Sequence, residues 1–269
     1  MWLKAPTNIK LLLNEVHVWR ANLDEVKPSL EYFRQILSED ELARARRFYF
    51  DQHQQRFIAG RGILRSILGR YLDIEPFKIQ FGYEARGKPF LTGFTQQHEN
   101  LSDRDSSKQS QIADSLEVGK SSVKQDYGNN LSFNLSHSQD FALYVVSLNN
   151  SIGVDLECIN SKTDVLALAQ RFFSSSEFTV IDSAPQEQQQ ELFFRYWTCK
   201  EAYLKATGTG LRDLQQIEIS LNAEQPAQLS IPNISGEWSL IEIQPFSNCA
   251  GAVAVDKRDL QLKYWEYFI

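Results

Sequence analysis

Three cysteines, one methionine and four histidines in 269 residues leave little soft or redox-active chemistry. The cysteines, Cys158, Cys199 and Cys249, are odd in number and none stands at a metal-site spacing. Free thiols in a reducing compartment are therefore the expectation, and a disulfide scaffold or a zinc site is excluded. Long apolar runs are missing too. A stretch such as Phe141–Val146 falls far short of the ~20 residues that a membrane helix needs. Near the N-terminus Lys4, Lys10 and Glu15 interrupt any apolar segment, so no secretory leader is expected and the location read is cytoplasmic. An excess of positive charge is also absent: 28 Lys and Arg stand against 34 Asp and Glu, a net charge of −6. A general nucleic-acid binder needs a basic footprint that this total does not supply. Any anionic ligand must then be held by a local basic cluster.

What is present is the composition of a folded chain, 42% hydrophobic and 12% aromatic. Its length suits one large domain or two of ~130 residues each. Val16-His17-Val18-Trp19 alternates as a strand. Ser38 and Glu41 have capping-box spacing, and Arg56–Leu72 carries apolar residues at helical intervals. Residues 95–130 are dominated by Ser, Gln, Asp, Asn and Lys, which reads as a long mobile loop. Leu131–Leu135 and Phe141–Leu148 read as strands. The second half begins with Ile152–Glu157 as a strand, repeats the capping-box spacing at Ser174 and Glu177, and continues in a helix from about Gln188 to Ala206. Strands are expected at Ile217–Leu221, Trp238–Ile243 and Gly251–Val255. The two caps stand 136 residues apart and each half follows one plan. An α+β fold is expected, a pseudo-dimer of two similar lobes over residues 1–151 and 152–269 with a ligand cleft between them.

Asp155 and Glu157 lie two apart on the expected strand, so they share a face. Adjacent carboxylates repel unless a proton or cation intervenes, and hard oxygen ligands of this kind suit Mg²⁺. A bare D-x-E also fits a solvent-exposed acidic strand. Trp197, Glu201 and Lys205 fall on one helical stripe, placing a carboxylate beside Lys200 and Lys205. This fits either an ordinary amphipathic helix or a third metal ligand flanked by phosphate-binding lysines.

Gly153-Val154-Asp155-Leu156-Glu157 followed by Trp197-x-x-Lys200-Glu201-Ala202-x-x-Lys205 resembles the signature pair of the Sfp-type 4′-phosphopantetheinyl transferases. The resemblance runs from about Arg44 to Leu211 and includes Arg47-Phe48-Tyr49, Gly87-Lys88-Pro89, Phe133 to Ser138 and Arg171-Phe172-Phe173. It implies two lobes with coenzyme A bound between them, and transfer of its phosphopantetheine arm to a serine of an apo acyl or peptidyl carrier domain, releasing 3′,5′-ADP. This is the activity of a holo-[acyl-carrier-protein] synthase. Carried over by position, Asp155, Glu157 and Glu201 would hold Mg²⁺, with Mn²⁺ as a substitute. Glu201 would serve as base, directly or through a metal-bound water, and Lys205 would act beside it. Lys200 and Lys205 would flank the pyrophosphate. Lys88 and Pro89 would line the adenine, while Arg56, Ser136 and His137 would meet the nucleotide end and its 3′-phosphate, His137 as a cation. Arg44 matches a further basic position, whose companion is Glu41 in this chain.

Two other readings fit the residues, a non-catalytic CoA- or carrier-binding module and a Mg²⁺-dependent phosphodiester hydrolase. The intact carboxylate trio disfavours the first, and Gly87-Lys88-Pro89 favours a nucleotide-bearing substrate over the second. The expected partner is a carrier protein of fatty-acid, polyketide or peptide synthesis, with residues around Phe172 and Phe173 as docking candidates. No membrane or nucleic-acid partner is expected, and the protein is read as a monomer.

Overall fold

The computed structural model describes residues 1–93, 130–221, 227–230 and 237–268, so the polar segment 95–130 lies almost wholly outside the described residues. After a two-residue strand, β1 (Leu3–Lys4), the first lobe opens with β2 (Glu15–Asn22). The short helices α1 (Leu30–Ile36) and α2 (Glu39–Ala45) follow, then the long α3 (Asp51–Leu72). A hairpin of β3 (Gln80–Tyr83) and β4 (Pro89–Thr92) precedes β5 (Leu131–Ser138) and β6 (Phe141–Leu148). The second lobe repeats the order: β7 (Ile152–Cys158), α4 (Val165–Phe172), α5 (Ser175–Ser183) and the long α6 (Gln186–Thr207). A hairpin of β8 (Glu218–Ser220) and β9 (Gln228–Ser230), then β10 (Ser239–Ile243) and β11 (Cys249–Val255), complete it.

The chain does not end in that lobe. Its last strand, β12 (Gln261–Glu266), returns to the first half and pairs parallel with both β1 and β2. The first sheet therefore runs β1-β12-β2-β6-β5 and the second β10-β11-β7. One apolar core gathers around α3 and a second around α6. A third lies where the sheets meet, with Val16, Val18, Leu143 and Val145 against Val154, Leu156, Val253 and Val255.

The cysteine expectation is corrected. Antiparallel pairing of β7 with β11 sets Cys158 opposite Cys249, and the two form a disulfide across the strands. Linear spacing could not reveal a pair 91 residues apart that only sheet register brings together. Cys199 is a buried free thiol.

Both capping boxes form, and each has a second role. The Glu41 carboxylate accepts the Ser38 N–H at 3.0 Å and meets Nε of Arg61 and of Arg65, each at 2.7 Å. Arg65 donates onward to the carbonyls of Pro76 and Ile79. In the second lobe Glu177 accepts the Ser174 N–H at 2.9 Å and pairs with Lys200 at 2.6 Å. Lys200 likewise donates to two carbonyls, those of Leu214 and Ile217. Arg65 and Lys200 occupy the same turn of their 22-residue helices. Each lobe thus joins its short capped helix, its long helix and the turn beyond it through one buried glutamate, paired with Arg61 and Arg65 in the first lobe and with Lys200 in the second.

Lys200→Met leaves the Glu177 carboxylate buried without its counter-ion. The expected loss of stability is about 3–5 kcal/mol, and pairing it with Glu177→Gln recovers much of the loss. Urea denaturation of the single and double variants measures both.

Candidate active site at the seam between the lobes

The seam is made by β5 and β7, which lie together through side chains. Asn134, Ser136 and Ser138 alternate on one face of β5. Asn134 Oδ1 accepts the Val154 N–H at 3.1 Å, and Ser138 Oγ accepts the Cys158 N–H at 3.1 Å. Ser136 Oγ donates to Asp155 at 2.9 Å, and Ser138 Oγ donates to Glu157 at 3.0 Å. The first lobe therefore orients both carboxylates that the second lobe supplies.

Helix α6 brings the remaining groups. A Cβ at Gly153 would overlap the Ala202 carbonyl and the Ala206 amide, so glycine permits β7 to lie directly on α6. At that separation Lys205 Nζ reaches Asp155 Oδ1 at 2.7 Å and Ser136 Oγ at 2.9 Å. Burial, and then the nearby Asp155, push the Glu201 carboxyl up to about 7, with Lys205 opposing the rise. The same two causes raise Glu157, against Ser138 and Lys205. Helix α6 ends at Gly208, whose φ of 70° is the left-handed closing conformation that glycine accepts readily.

From Lys205 a cavity of about 470 Å³ extends between the lobes. Its basic lining is Arg44, Arg56, Arg61, Arg86, Lys88, His137 and Lys205, and among the described residues no carboxylate lines it. Phe48, Phe57, Tyr83, Pro89, Leu135 and Tyr144 give it apolar walls. Lys88 Nζ donates to the Ala206 carbonyl at 3.1 Å and approaches that of Ile152 at 3.5 Å, tying the β3–β4 hairpin to the second lobe. Burial lowers the Lys88 ammonium.

The sequence-derived set separates here. Asp155, Glu157, Glu201 and Lys205 meet at the seam. Arg44, Arg56, Lys88, Pro89 and His137 line the cavity. Ser136 is engaged by Asp155 and Lys205 instead of facing a nucleotide. Lys200 does not reach the cavity: it is completely buried and committed to Glu177, because a residue adjacent to Glu201 on a helix points about 100° away from it. Glu41 is neutralised inside the first lobe by Arg61 and Arg65. Phe173 is core, stacked on Phe193, so it offers no docking surface. For His137 the cationic form is expected with phosphate bound, and the ligand-free cavity works against it. Burial is the largest cause lowering its pKa, followed by the positive charge of Lys205, with Arg44 and Arg56 adding to it.

Among the described residues no three His, Cys, Asp or Glu side chains form a ready-made metal cluster. The donor chemistry nevertheless fits a divalent cation. Asp155 Oδ2 is buried with no hydrogen-bond partner, and Glu157 and Glu201 both resist ionisation beside it. A hard cation would take up the free oxygen and relieve the repulsion among the three.

Sequence reasoning missed Arg61, Tyr83, Arg86 and Tyr144 in the cavity, and Asn134 and Ser138 at the seam. The alternation of Asn134, Ser136 and Ser138 was the available signal for the seam. The cavity residues come from separate elements and share no local pattern.

Two family descriptions cover the chain. That of the 4′-phosphopantetheinyl transferase superfamily matches residues 151–255, and that of the 4′-phosphopantetheinyl transferase N-terminal region matches residues 19–114. The chain is 47% identical over 266 residues to the 4′-phosphopantetheinyl transferase HetI of Nostoc sp., an alignment covering 99% of this chain and 98% of that one. It is 28% identical to the transferase psf-1 of Bacillus pumilus, over 77% of this chain and 73% of the other. With the transferase Sfp of Bacillus subtilis the identity is 25%, over 75% and 73% respectively.

The surroundings of His137 generate a pH test. An anionic phosphate entering the cavity opposes the three cations that depress the imidazole, so binding raises its pKa. Between the free and bound values the complex holds more protons than the free protein. Affinity therefore falls as pH rises through that interval. Calorimetry of 3′,5′-ADP binding in buffers of different ionisation enthalpy should show proton uptake that is lost in His137→Gln.

Proposed function

The chain belongs to the 4′-phosphopantetheinyl transferase family, and from that premise we propose that it moves the 4′-phosphopantetheine group of coenzyme A to a serine of an apo carrier protein, leaving 3′,5′-ADP. The observation that carries this reading is the joining of two opposite electrostatic fields. A basic cavity without carboxylates in its lining opens onto the buried acidic seam of Asp155, Glu157 and Glu201. Coenzyme A has a matching layout, with an anionic nucleotide, a pyrophosphate and an uncharged arm.

Arg44, Arg56 and His137 would hold the phosphates of the nucleotide end, and Lys88 and Pro89 would bound the adenine. Lys205 sits where the cavity meets the seam and would face the pyrophosphate. Asp155, Glu157 and Glu201 would hold Mg²⁺, which when bound offsets the negative charge gathering on the pyrophosphate oxygens. The carrier serine attacks the phosphorus bearing the pantetheine arm and the nucleotide leaves with the bond electrons. Glu201 would accept the hydroxyl proton, directly or through a water. Lys205 compensates the leaving group's charge. Fixing both reactants in line supplies much of the acceleration without a covalent enzyme intermediate.

Acyl and peptidyl carrier domains are the proposed acceptors, which makes holo-[acyl-carrier-protein] synthase the narrower name for one use of the site. The described residues contain no helix long and apolar enough to cross a membrane, and a cytoplasmic location is part of this proposal. Incubation with CoA, Mg²⁺ and an apo carrier domain, followed by intact mass, tests the reading. A phosphopantetheinyl mass gain on the carrier supports it. No gain on either fatty-acid or non-ribosomal carriers would overturn it.

Glu201→Ala and Asp155→Ala should each abolish transfer while leaving the thermal transition in place, because both side chains stand at the seam outside the apolar cores. Near-wild-type turnover by either variant would defeat the three-carboxylate assignment.

A further inference from the structure

Among the described residues Arg56 is the one cavity cation paired with two carboxylates from separate loops. It leaves the first turns of α3 with its side chain 15% exposed. Its Nη2 meets Asp140 Oδ1, and its Nε lies 3.7 Å from Asp24 Oδ1. Asp140 sits in the β5–β6 turn, after Gln139 in the left-handed conformation at φ 52°. Asp24 follows β2 and is held by the Asn22 side chain at 3.0 Å. The two loops are joined by the Leu23 N–H, which donates to the Asp140 carbonyl at 2.7 Å. Asp24 Oδ1, Asp140 Oδ1 and Arg56 Nε are buried, and among the described residues none of the three has a hydrogen-bond partner, so charge alone holds the group together.

We infer that Asp24 and Asp140 are positioning residues that present Arg56 to the 3′-phosphate of coenzyme A. The inference rests on the reading given above, in which Arg56 meets the nucleotide end. A free arginine has many rotamers and loses that freedom when it binds a phosphate. Here the guanidinium is held by charge, with Asp140 at Nη2 and Asp24 3.7 Å from Nε, while the same side chain lines the cavity. Preorganisation of this kind strengthens binding by removing an entropy loss. The opposing effect is repulsion between the aspartates and the incoming phosphate. Both carboxylates are about one-third exposed, so water screens that repulsion. The positioning effect therefore prevails, and neutralising either aspartate weakens binding despite removing a negative charge.

The test compares coenzyme A with 3′-dephospho-coenzyme A as donors to an apo carrier domain, using the full chain. For Asp140→Asn and Asp24→Asn the KM for coenzyme A should rise about fivefold with kcat within about twofold. The KM for the dephospho donor should not change, and Asp140→Glu should restore part of the discrimination. Arg56→Ala sets the limit by removing the preference for the 3′-phosphate. A lower KM for coenzyme A in the Asn variants would overturn the inference in favour of simple repulsion. A parallel rise for both donors would overturn it in favour of a general loop defect. If Arg56→Ala keeps the full preference, the placement of the nucleotide end fails instead, and if the wild-type chain transfers nothing, the proposed function fails.

Discussion

Glu177 and Lys200 meet inside the second lobe with essentially no solvent around either. Two charges removed from water gain little net stability from each other, because desolvation offsets their attraction. What such a pair supplies is registry. Glu177 belongs to the first turn of α5 and also accepts the Ile219 N–H at 2.8 Å, while the ammonium of Lys200 reaches the carbonyls of Leu214 and Ile217. No other rotation of α6 satisfies all these groups at once. With Lys200 turned into the lobe, the helical repeat turns Lys205 towards β7 and places Glu201 beside the seam. A residue buried away from the cavity therefore fixes the angle at which two seam residues are presented.

The first lobe solves the same problem with Glu41 and Arg65, whose guanidinium reaches the carbonyls of Pro76 and Ile79. Corresponding positions differ where chemistry is needed. The caps and strands of the two lobes align at an offset of 136 and the long helices at 135, so Asp155 corresponds to Trp19, Glu157 to Ala21, Glu201 to Ser66 and Lys205 to Arg70. Arg70 lies over the Trp19 ring at 5.1 Å, the counterpart of the Lys205–Asp155 pair with an indole replacing the carboxylate. One lobe keeps the carboxylates and the other fills the equivalent place with apolar core. Glu41 illustrates the same divergence. As the companion of Arg44 it seemed misplaced at an anion site, but its charge is consumed by Arg61 and Arg65 within the fold.

Much of this was legible in the sequence because it is local. Capping boxes, the long amphipathic helices and the strand carrying Asp155 and Glu157 all appear where their spacing predicts. What was not legible depends on register between distant segments. The disulfide needs β7 set against β11, and the return of β12 to the first sheet leaves no mark in its own six residues. Lys200 failed for a different reason. A lysine in a conspicuous motif reads as a ligand for phosphate, since burying a lone ammonium is costly. Only its partner Glu177, on another helix, makes burial tolerable. The cations around His137, which lower its pKa in the ligand-free protein, come from separate elements and leave no local mark either.

The overall charge of −6 hides a local separation that organises the site. On the seam, burial first and the Asp155 charge second make Glu157 and Glu201 hold their protons more tightly than ordinary carboxyls, and Lys205 opposes the rise in both. In the cavity the imbalance is opposite, and burial together with the charges of Lys205, Arg44 and Arg56 lowers the His137 pKa. A ligand that brings anionic phosphate to the cavity and a cation to the seam satisfies both halves together. Lys205, bonded to Asp155 and also lining the cavity, lies on the boundary, so charge added on one side alters the other through it.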